Sequence, residues 1–507
     1  MTRALRRVPP SALAIGGTIG LVSIDIIVRR GGGKTAAEAM IAVLLGLAVG
    51  RLVRSWTAAL GGLLLVVLLI PSDGRVVLPG GLPFQLEPYR FVVGFLVVGW
   101  IASLLVDPRV KMRKSGFEGP LLMIGLAVLG SELSNPGRVS SVSTHVIKYV
   151  WLFAFFLLAF YMVVSVVRTR VQLDRLITVM VSAGCLVGLA AAYERQKGIN
   201  LFNEYLPKLL PIFHYIIPPT IARDGHVRAQ ATAGHPIELS SSMSMLMPLA
   251  AYLAITRKQA RWWIAMVALL LGDFASGSRT GIVGLLIVIV VFVCLRPRQT
   301  LRCWPALIPV IPVLHFAAPG ALGGLQNMFF PSGGLVAQQS STINGQANNR
   351  LSRWGPEMKE FAAHNPLVGE GFGTRVTGLK YGNNAIVLDD QWLGTLLETG
   401  LLGIGGWLWL FFRVIRRLGA RAKLDPDSPE AWLAVALAAA VANFAVQMYF
   451  YDAFSFIQAT FIVYTLIAFA AVLLELPGGA RRRILAAPAT GALPPAGGAV
   501  ETPHAGA

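Results

Sequence analysis

QWLGTLLETGLLGIGGWLWLFF, residues 391–412, is apolar along almost its whole length and carries one ionisable side chain, Glu398. A run of this length and composition spans a bilayer as a helix, and that reading decides the fold. Just before it stand Asp389 and Asp390. Further back come Asn365-Pro366-Leu367-Val368-Gly369-Glu370-Gly371-Phe372-Gly373 and Asn349-Arg350-Leu351-Ser352-Arg353-Trp354. A long polar loop thus re-enters an apolar helix. Polar and ionisable groups are costly beside hydrocarbon, so their crowding at this mouth marks the working part of the chain.

Apolar runs of roughly 16 to 22 residues recur along most of the sequence. Of 507 residues, 55% are hydrophobic and 14% charged, with mean hydropathy +0.64. Soluble chains carry about 25% charged residues. The runs are too many to be buried helices of a soluble fold, so the sequence predicts an all-α polytopic membrane protein of about 12–14 transmembrane helices. Spans are expected near 12–28, 36–50, 56–71, 90–106, 119–134, 146–167, 175–195, 236–256, 262–277, 280–296, 303–319, 391–412, 430–450 and 455–475. Merging among the first three, or of the 262–296 pair, gives the lower count.

The net charge is +19, from 44 Lys+Arg against 25 Asp+Glu. These cations lie between the apolar runs, so they report orientation and not nucleic-acid binding. The basic connections 109–114, 168–175, 257–261, 296–302, 413–423 and 481–483 all fall on one side with the higher span count. The positive-inside rule makes that side, and both termini, cytoplasmic. Arg29, Arg30 and Lys34 dissent. Loops 196–235 and 320–390 then face outward, the first with an interfacial pattern of apolar residues between prolines. The opening run is expected to stay as an uncleaved helix. The sequence divides into N-terminal helices (1–195), a core with both outer loops (196–420), C-terminal helices (421–476) and a disordered cytoplasmic tail (477–507). Cys185, Cys294 and Cys303 form no CxxC pair, and the histidines have no metal-ligand spacing. Neither a disulfide framework nor a metal site is expected.

Three outward stretches hold arginine beside small or polar residues: Arg223 to Pro236 with Arg228 and His235, Ser276-Gly277-Ser278-Arg279-Thr280-Gly281, and Arg350 with Arg353. A guanidinium makes forked hydrogen bonds that suit a phosphate or diphosphate; snorkelling to lipid head groups is the competing reading. Asp389 and Asp390 precede the 391–412 helix, where a carboxylate caps a helix N-terminus or serves as a general base. Glu398 is an intramembrane carboxylate, more structural than catalytic in expectation. His235, before Pro236, reads as positional. Gly369-Glu370-Gly371-Phe372-Gly373 follows no strand, so it reads as turns of positive φ and not as a nucleotide loop.

Taken in order, these motifs resemble the O-antigen ligase and O-antigen polymerase superfamily of bacterial membrane glycosyltransferases. The matching pieces are Arg228-Ala229 with Gly234-His235-Pro236, Ser278-Arg279-Thr280-Gly281, Asn365 to Gly373, and Trp392-Leu393 followed by Leu396, Glu398, Gly400, Leu401, Leu402 and Gly403. The resemblance implies a GT-C-like fold with a large extracytoplasmic loop. It implies a polyprenyl-diphosphate-linked oligosaccharide donor, undecaprenyl diphosphate in bacteria. Transfer would be inverting, free of metal and cofactor, to a hydroxyl of a glycan or glycolipid on the outer face of the cytoplasmic membrane. Other polysaccharide-assembly proteins are among the expected partners. Arg228 and Arg279 take the diphosphate-binding role, Arg350 less firmly. The ligases' catalytic His-Asn falls on Asp389-Asp390, a departure that leans towards a polymerase. Two other classes compete, a polysaccharide or lipid-linked-glycan transporter or flippase and a non-catalytic assembly scaffold. A transporter predicts paired ionisable residues at mid-membrane and inverted repeats, whereas here they gather at outer helix ends.

Overall fold

A computed structural model of the chain describes residues 55–72, 74–76, 87–108, 110–209, 213–215, 221–223, 226–302, 341–343, 346–348, 355, 357–359, 361–362, 365–375 and 388–476. The first half comprises α1 (Trp56–Leu69), α2 (Pro88–Val106), α3 (Glu118–Ser134), short α4 (Pro136–Ser141), α5 (Ser143–Val166), α6 (Arg170–Lys197) and α7 (Leu201–Leu209). The second comprises α8 (Pro236–Arg257), α9 (Ala260–Ala275), α10 (Arg279–Leu295), short α11 (Pro297–Arg302), α12 (Gln391–Leu424), α13 (Pro429–Gln447) and α14 (Ile457–Glu475). Three small antiparallel ladders, Gly74–Val76 with Phe213–Tyr215, Ala222–Arg223 with His226–Val227, and Ser341–Ile343 with Gln346–Asn348, are the strands among the described residues.

Seven helices, α2, α5, α6, α8, α12, α13 and α14, are long and apolar enough to cross a membrane. Shorter α1 and α10 are also apolar. The chain is an all-α polytopic membrane protein. Along α2, Phe91, Val98 and Leu105 repeat at a heptad spacing and are exposed, as a lipid-facing stripe would be. Local chemistry sets the ends. Thr169 and Gln172 form a capping box for α6, and Gly198 at φ 70 closes it. Ser428, followed by Pro429, opens α13.

One expectation needs correction, and one alternative is closed. The helix beginning at residue 391 does not stop at 412 but continues to Leu424, so the basic stretch 413–423 is helical and not a connection. Arginine is a good helix former, and here the side chains find carbonyls. Arg413 Nε donates to Gly116 O at 2.9 Å and Arg417 Nη1 to the same oxygen at 3.2 Å. The 262–296 pair does not merge, because Gly277 at φ 59 turns the chain between α9 and α10. The expected spans 12–28, 36–50 and 303–319, and the 477–507 tail, lie outside the described residues.

The described basic connections meet at one end of the bundle. Arg296 Nη2 donates to Ala422 O at 2.7 Å and Pro426 O at 3.0 Å. Arg257 reaches Thr178 at 2.9 Å, and Arg170 pairs with Asp174 at 3.2 Å and contacts Glu430 at 3.9 Å. The starts of α8, α10, α12 and α14 lie at the other end. α8 is buried on almost every side, and its Ser240, Ser241, Ser242 and Ser244 are fully enclosed. They are satisfied by Asp273, Gln447 and Gln458 of neighbouring helices and by Tyr451, as buried polar groups require.

Candidate active site

The segment before α8 is held rigidly. Ala231 takes φ 50, a conformation costly for a residue with a Cβ. Glu194 of α6 stabilises it by accepting the N–H groups of Gln230 at 3.2 Å and Ala231 at 2.8 Å, while Asn200 Nδ2 donates to Ala231 O at 2.9 Å. Arg228, 7% exposed, is thereby laid against the α9–α10 turn, with its Nε donating to Ser276 O at 2.9 Å. Gly277, at φ 59, supplies the left-handed turn beside it, and a Cβ there would only touch Arg228 Cγ at an ordinary 3.5 Å. Ser278 caps α10, accepting from Thr280 N–H at 3.3 Å, and partly exposed Arg279 is the first residue of that helix. The first two arginine motifs are therefore one structure.

His235 caps α8, its Nδ1 accepting from Ile237 N–H at 3.2 Å. Neutral imidazole then carries its proton on Nε2. Burial pushes the His235 pKa down to about 4, Arg228 adds to that, and Asp389 opposes it. The ring packs on Phe456 at 5.7 Å between centroids. Glu238 joins this segment to α14, accepting from Gly234 N–H at 2.9 Å and Gln458 N–H at 2.7 Å.

The two aspartates divide their labour. Asp390, 3% exposed, caps α12 by accepting from Leu393 N–H at 3.1 Å. Asp389 sits in the left-handed region at φ 52 and is partly exposed. A third carboxylate, which sequence reasoning missed, holds the pair. The Oδ2 and Oδ1 atoms of Asp452 accept from the N–H groups of Asp389 and Asp390, each at 3.3 Å. Burial and then the Asp389 charge raise the Asp452 carboxyl above its usual range, against those two hydrogen bonds. Gln391 completes the junction, donating its N–H to Met448 O at 2.8 Å and accepting from Phe454 N–H at 2.9 Å. Asp389, Asp452, His235 and Arg228 thus interact within one cluster. The only signal for Asp452 was an acidic residue between two apolar runs, at the end where the outer loops belong.

The glycine motif and Glu398 form a separate clasp. Gly400 breaks α12 at φ 64, ψ −162. The backbone groups this frees are taken by residues 366–371. Glu370 N–H donates to Leu397 O at 2.8 Å, Gly371 N–H to Glu398 O at 3.3 Å, Leu401 N–H to Pro366 O at 3.0 Å and Leu402 N–H to Leu367 O at 3.1 Å. Gly369, Gly371 and Gly373 have φ 76, 116 and 70, so the positive-φ reading of this motif holds. The Glu398 carboxylate lies near the backbone of Gly373 and Arg375, and Glu132 of α3 lies near that of Phe372. Arg138, also unforeseen, pairs with Glu370 at 2.8 Å. Glu398 therefore anchors the loop.

Arg350 and Arg353 lie outside the described residues. Among the described residues, no three His, Cys, Asp or Glu side chains are grouped to hold a metal. Comparison with curated proteins finds no match. Residues 264–408 match the family model of the O-antigen ligase, bearing out the resemblance read from the motifs. The match takes in Arg279, Asp389, Asp390 and Glu398, and leaves Arg228, His235 and Asp452 to either side.

Proposed function

We propose that this chain, an O-antigen ligase/polymerase-type membrane protein by its residues 264–408, transfers glycan from a polyprenyl-diphosphate-linked oligosaccharide to an acceptor hydroxyl. Arg228 and Arg279 hold the diphosphate, neutralising the charge it gains on leaving. The acceptor oxygen attacks the anomeric carbon from the opposite face, the bond from that carbon to the diphosphate oxygen breaks, and the configuration inverts. Asp389 takes the hydroxyl proton. Asp452 positions Asp389 through the backbone, and neutral His235 supplies an Nε2–H donor without competing for that proton. No step uses a metal. The Asp389-Asp390 pair in place of His-Asn favours a polymerase over a ligase. With the basic end cytoplasmic by the positive-inside rule, the cluster faces outward from the bacterial cytoplasmic membrane.

The observation that carries this reading is the convergence of Asp389 and Arg228 on His235, from segments far apart in sequence. The test is purified protein in nanodiscs with a lipid-diphosphate-linked oligosaccharide and no added metal. A ladder of longer lipid-linked products identifies a polymerase, and single transfer to an added glycolipid identifies a ligase. An untouched donor in both settings ends the proposal.

A further inference from the structure

The outer face of α12 changes character within one turn. Leu401, Leu408, Trp409 and Phe412 are exposed, and the next exposed side chains on the same stripe are Arg416 and Lys423. Steps of three, four and seven residues keep them on one side of the helix. An apolar stripe that turns cationic marks where hydrocarbon gives way to head groups. Arg413 and Arg417 flank this boundary on the side of α3, where both donate to Gly116 O.

These guanidiniums are held in place without being neutralised. Gly116, at φ 76, brings its carbonyl beneath them, and a Cβ there would collide with Arg417 Nη1. Arg417 also lies over the Phe117 ring, 5.5 Å from its centroid. Arg413 reaches the carbonyl through Nε, which leaves both of its Nη groups for another partner. Gly119 admits the Trp409 indole to α3, since a Cβ there would stand 2.8 Å from its Cη2. The segment before Gly116 adds Lys111, Arg113 and Lys114, all exposed. Among the described residues, none of these six cations pairs with a carboxylate. Glu118 is the one acidic residue in stretches 111–118 and 408–423, and its Oε1 accepts from the Ser115 and Gly116 N–H groups and the Ser115 hydroxyl. Arg170, at the same end of the bundle, is by contrast paired with Asp174 and Glu430. A guanidinium fork matches a phosphate, and basic pockets between membrane helices take phospholipid head groups.

We propose that the junction of α3 and α12 binds an anionic phospholipid from the leaflet at the basic end. Its phosphate lies on Arg413, Arg416 and Arg417, and its acyl chains run along Leu408, Trp409 and Phe412. Six uncompensated cations favour a head group with two phosphates, as in cardiolipin, over one with a single charge. The assignment goes beyond glycosyl transfer and does not depend on it.

The experiment titrates full-length protein in neutral detergent with cardiolipin, phosphatidylglycerol or phosphatidylcholine, each with and without inorganic phosphate, and reads bound lipid by native mass spectrometry. Cardiolipin should bind most tightly, phosphatidylglycerol less so, and phosphatidylcholine without saturation. Each cation beside a head group is worth about fivefold in affinity, so Arg416→Gln should raise the cardiolipin Kd about fivefold and Arg413→Gln with Arg417→Gln about 25-fold. The double variant also gives up the bonds to Gly116, so exposed Arg416 carries the test if that protein does not fold. Arg175→Gln with Arg261→Gln removes the same charge at the same end, from α6 and α9, and should leave the Kd unchanged. A control pair that weakens cardiolipin as much as the Arg413 and Arg417 pair would reduce the effect to general surface charge and overturn the proposal. Wild-type affinity in Arg416→Gln would overturn it too, as would phosphatidylcholine binding as tightly as cardiolipin. Displacement of cardiolipin by an equimolar amount of inorganic phosphate would assign the cations to a free anion instead of a lipid. Loss of the glycosyl-transfer reading would leave each of these outcomes readable.

Discussion

Asp389 and Asp390 are neighbours in sequence with opposite fates, and the difference is testable by the same substitution at both. Asn tolerates the left-handed backbone that Asp389 adopts at φ 52, so Asp389→Asn removes charge without strain. Product should fall about 100-fold at unchanged protein level, as loss of a general base predicts. Asp390→Asn keeps a good cap, whereas Asp390→Ala should cost about 1 kcal/mol of stability, read from the thermal midpoint. His235 yields a pH prediction. Its folded pKa, about 4, lies below the unfolded value near 6.5. The unfolded chain therefore binds more protons between those values, and stability present above pH 6.5 is lost as pH falls towards 4. His235→Asn retains an α8 cap, so its thermal midpoint should decline less steeply across that window than the wild type's. Equal slopes would remove the assigned shift. The aspartate pair and the two arginines were legible because charge beside an apolar run stands out. Asp452 was not, because a contact 63 residues distant leaves no periodic trace.

At the scale of elements, helices were legible and their junctions were not. Hydropathy located α8, α9 and α10 closely, yet it could not tell that α12 breaks at Gly400 and admits residues 366–371, a pairing that depends on the chain folding back. A Cβ on Gly400 would lie 2.5 Å from the carbonyl of Leu367, with φ at 64. Gly400→Ala should therefore lower stability by ~1–3 kcal/mol from backbone strain, plus any cost of displacing the loop. Limited proteolysis across 355–390 should speed up in parallel. Arg138 gives a companion test, because its partner Glu370 is 1% exposed. Arg138→Met should cost about 3 kcal/mol by stranding a buried carboxylate, and adding Glu370→Leu should recover more than half. A double variant no better than the single would mean that the pair contributes little.

For the whole molecule, the ties among Gly116, Arg170, Arg257, Arg296 and Ala422 set a basic end apart from the end holding Asp389. The sequence foresaw that grouping from charge alone, although it treated 413–423 as a loop. Orientation follows as an expected labelling pattern in a background with the native cysteines replaced. Exposed Ser140→Cys, near the end holding Asp389, should react with a membrane-impermeant maleimide on spheroplasts, and exposed Lys423→Cys only after permeabilisation. The reverse pattern would turn the protein over and place its chemistry on the cytoplasmic side.

The clasp at Gly400 grips peptide groups and ignores side-chain identity at Pro366, Leu367, Leu401 and Leu402. Drift at those four positions is therefore cheap for the clasp, provided volume and polarity stay suitable. Gly369 and Gly400 have no such latitude, since each would drive a Cβ into backbone atoms at 2.5 Å. Descendants of this chain should keep a punctuation of glycines while the words between them change, and a saturation library over 366–371 and 397–402 would recover that grammar in a single selection for function.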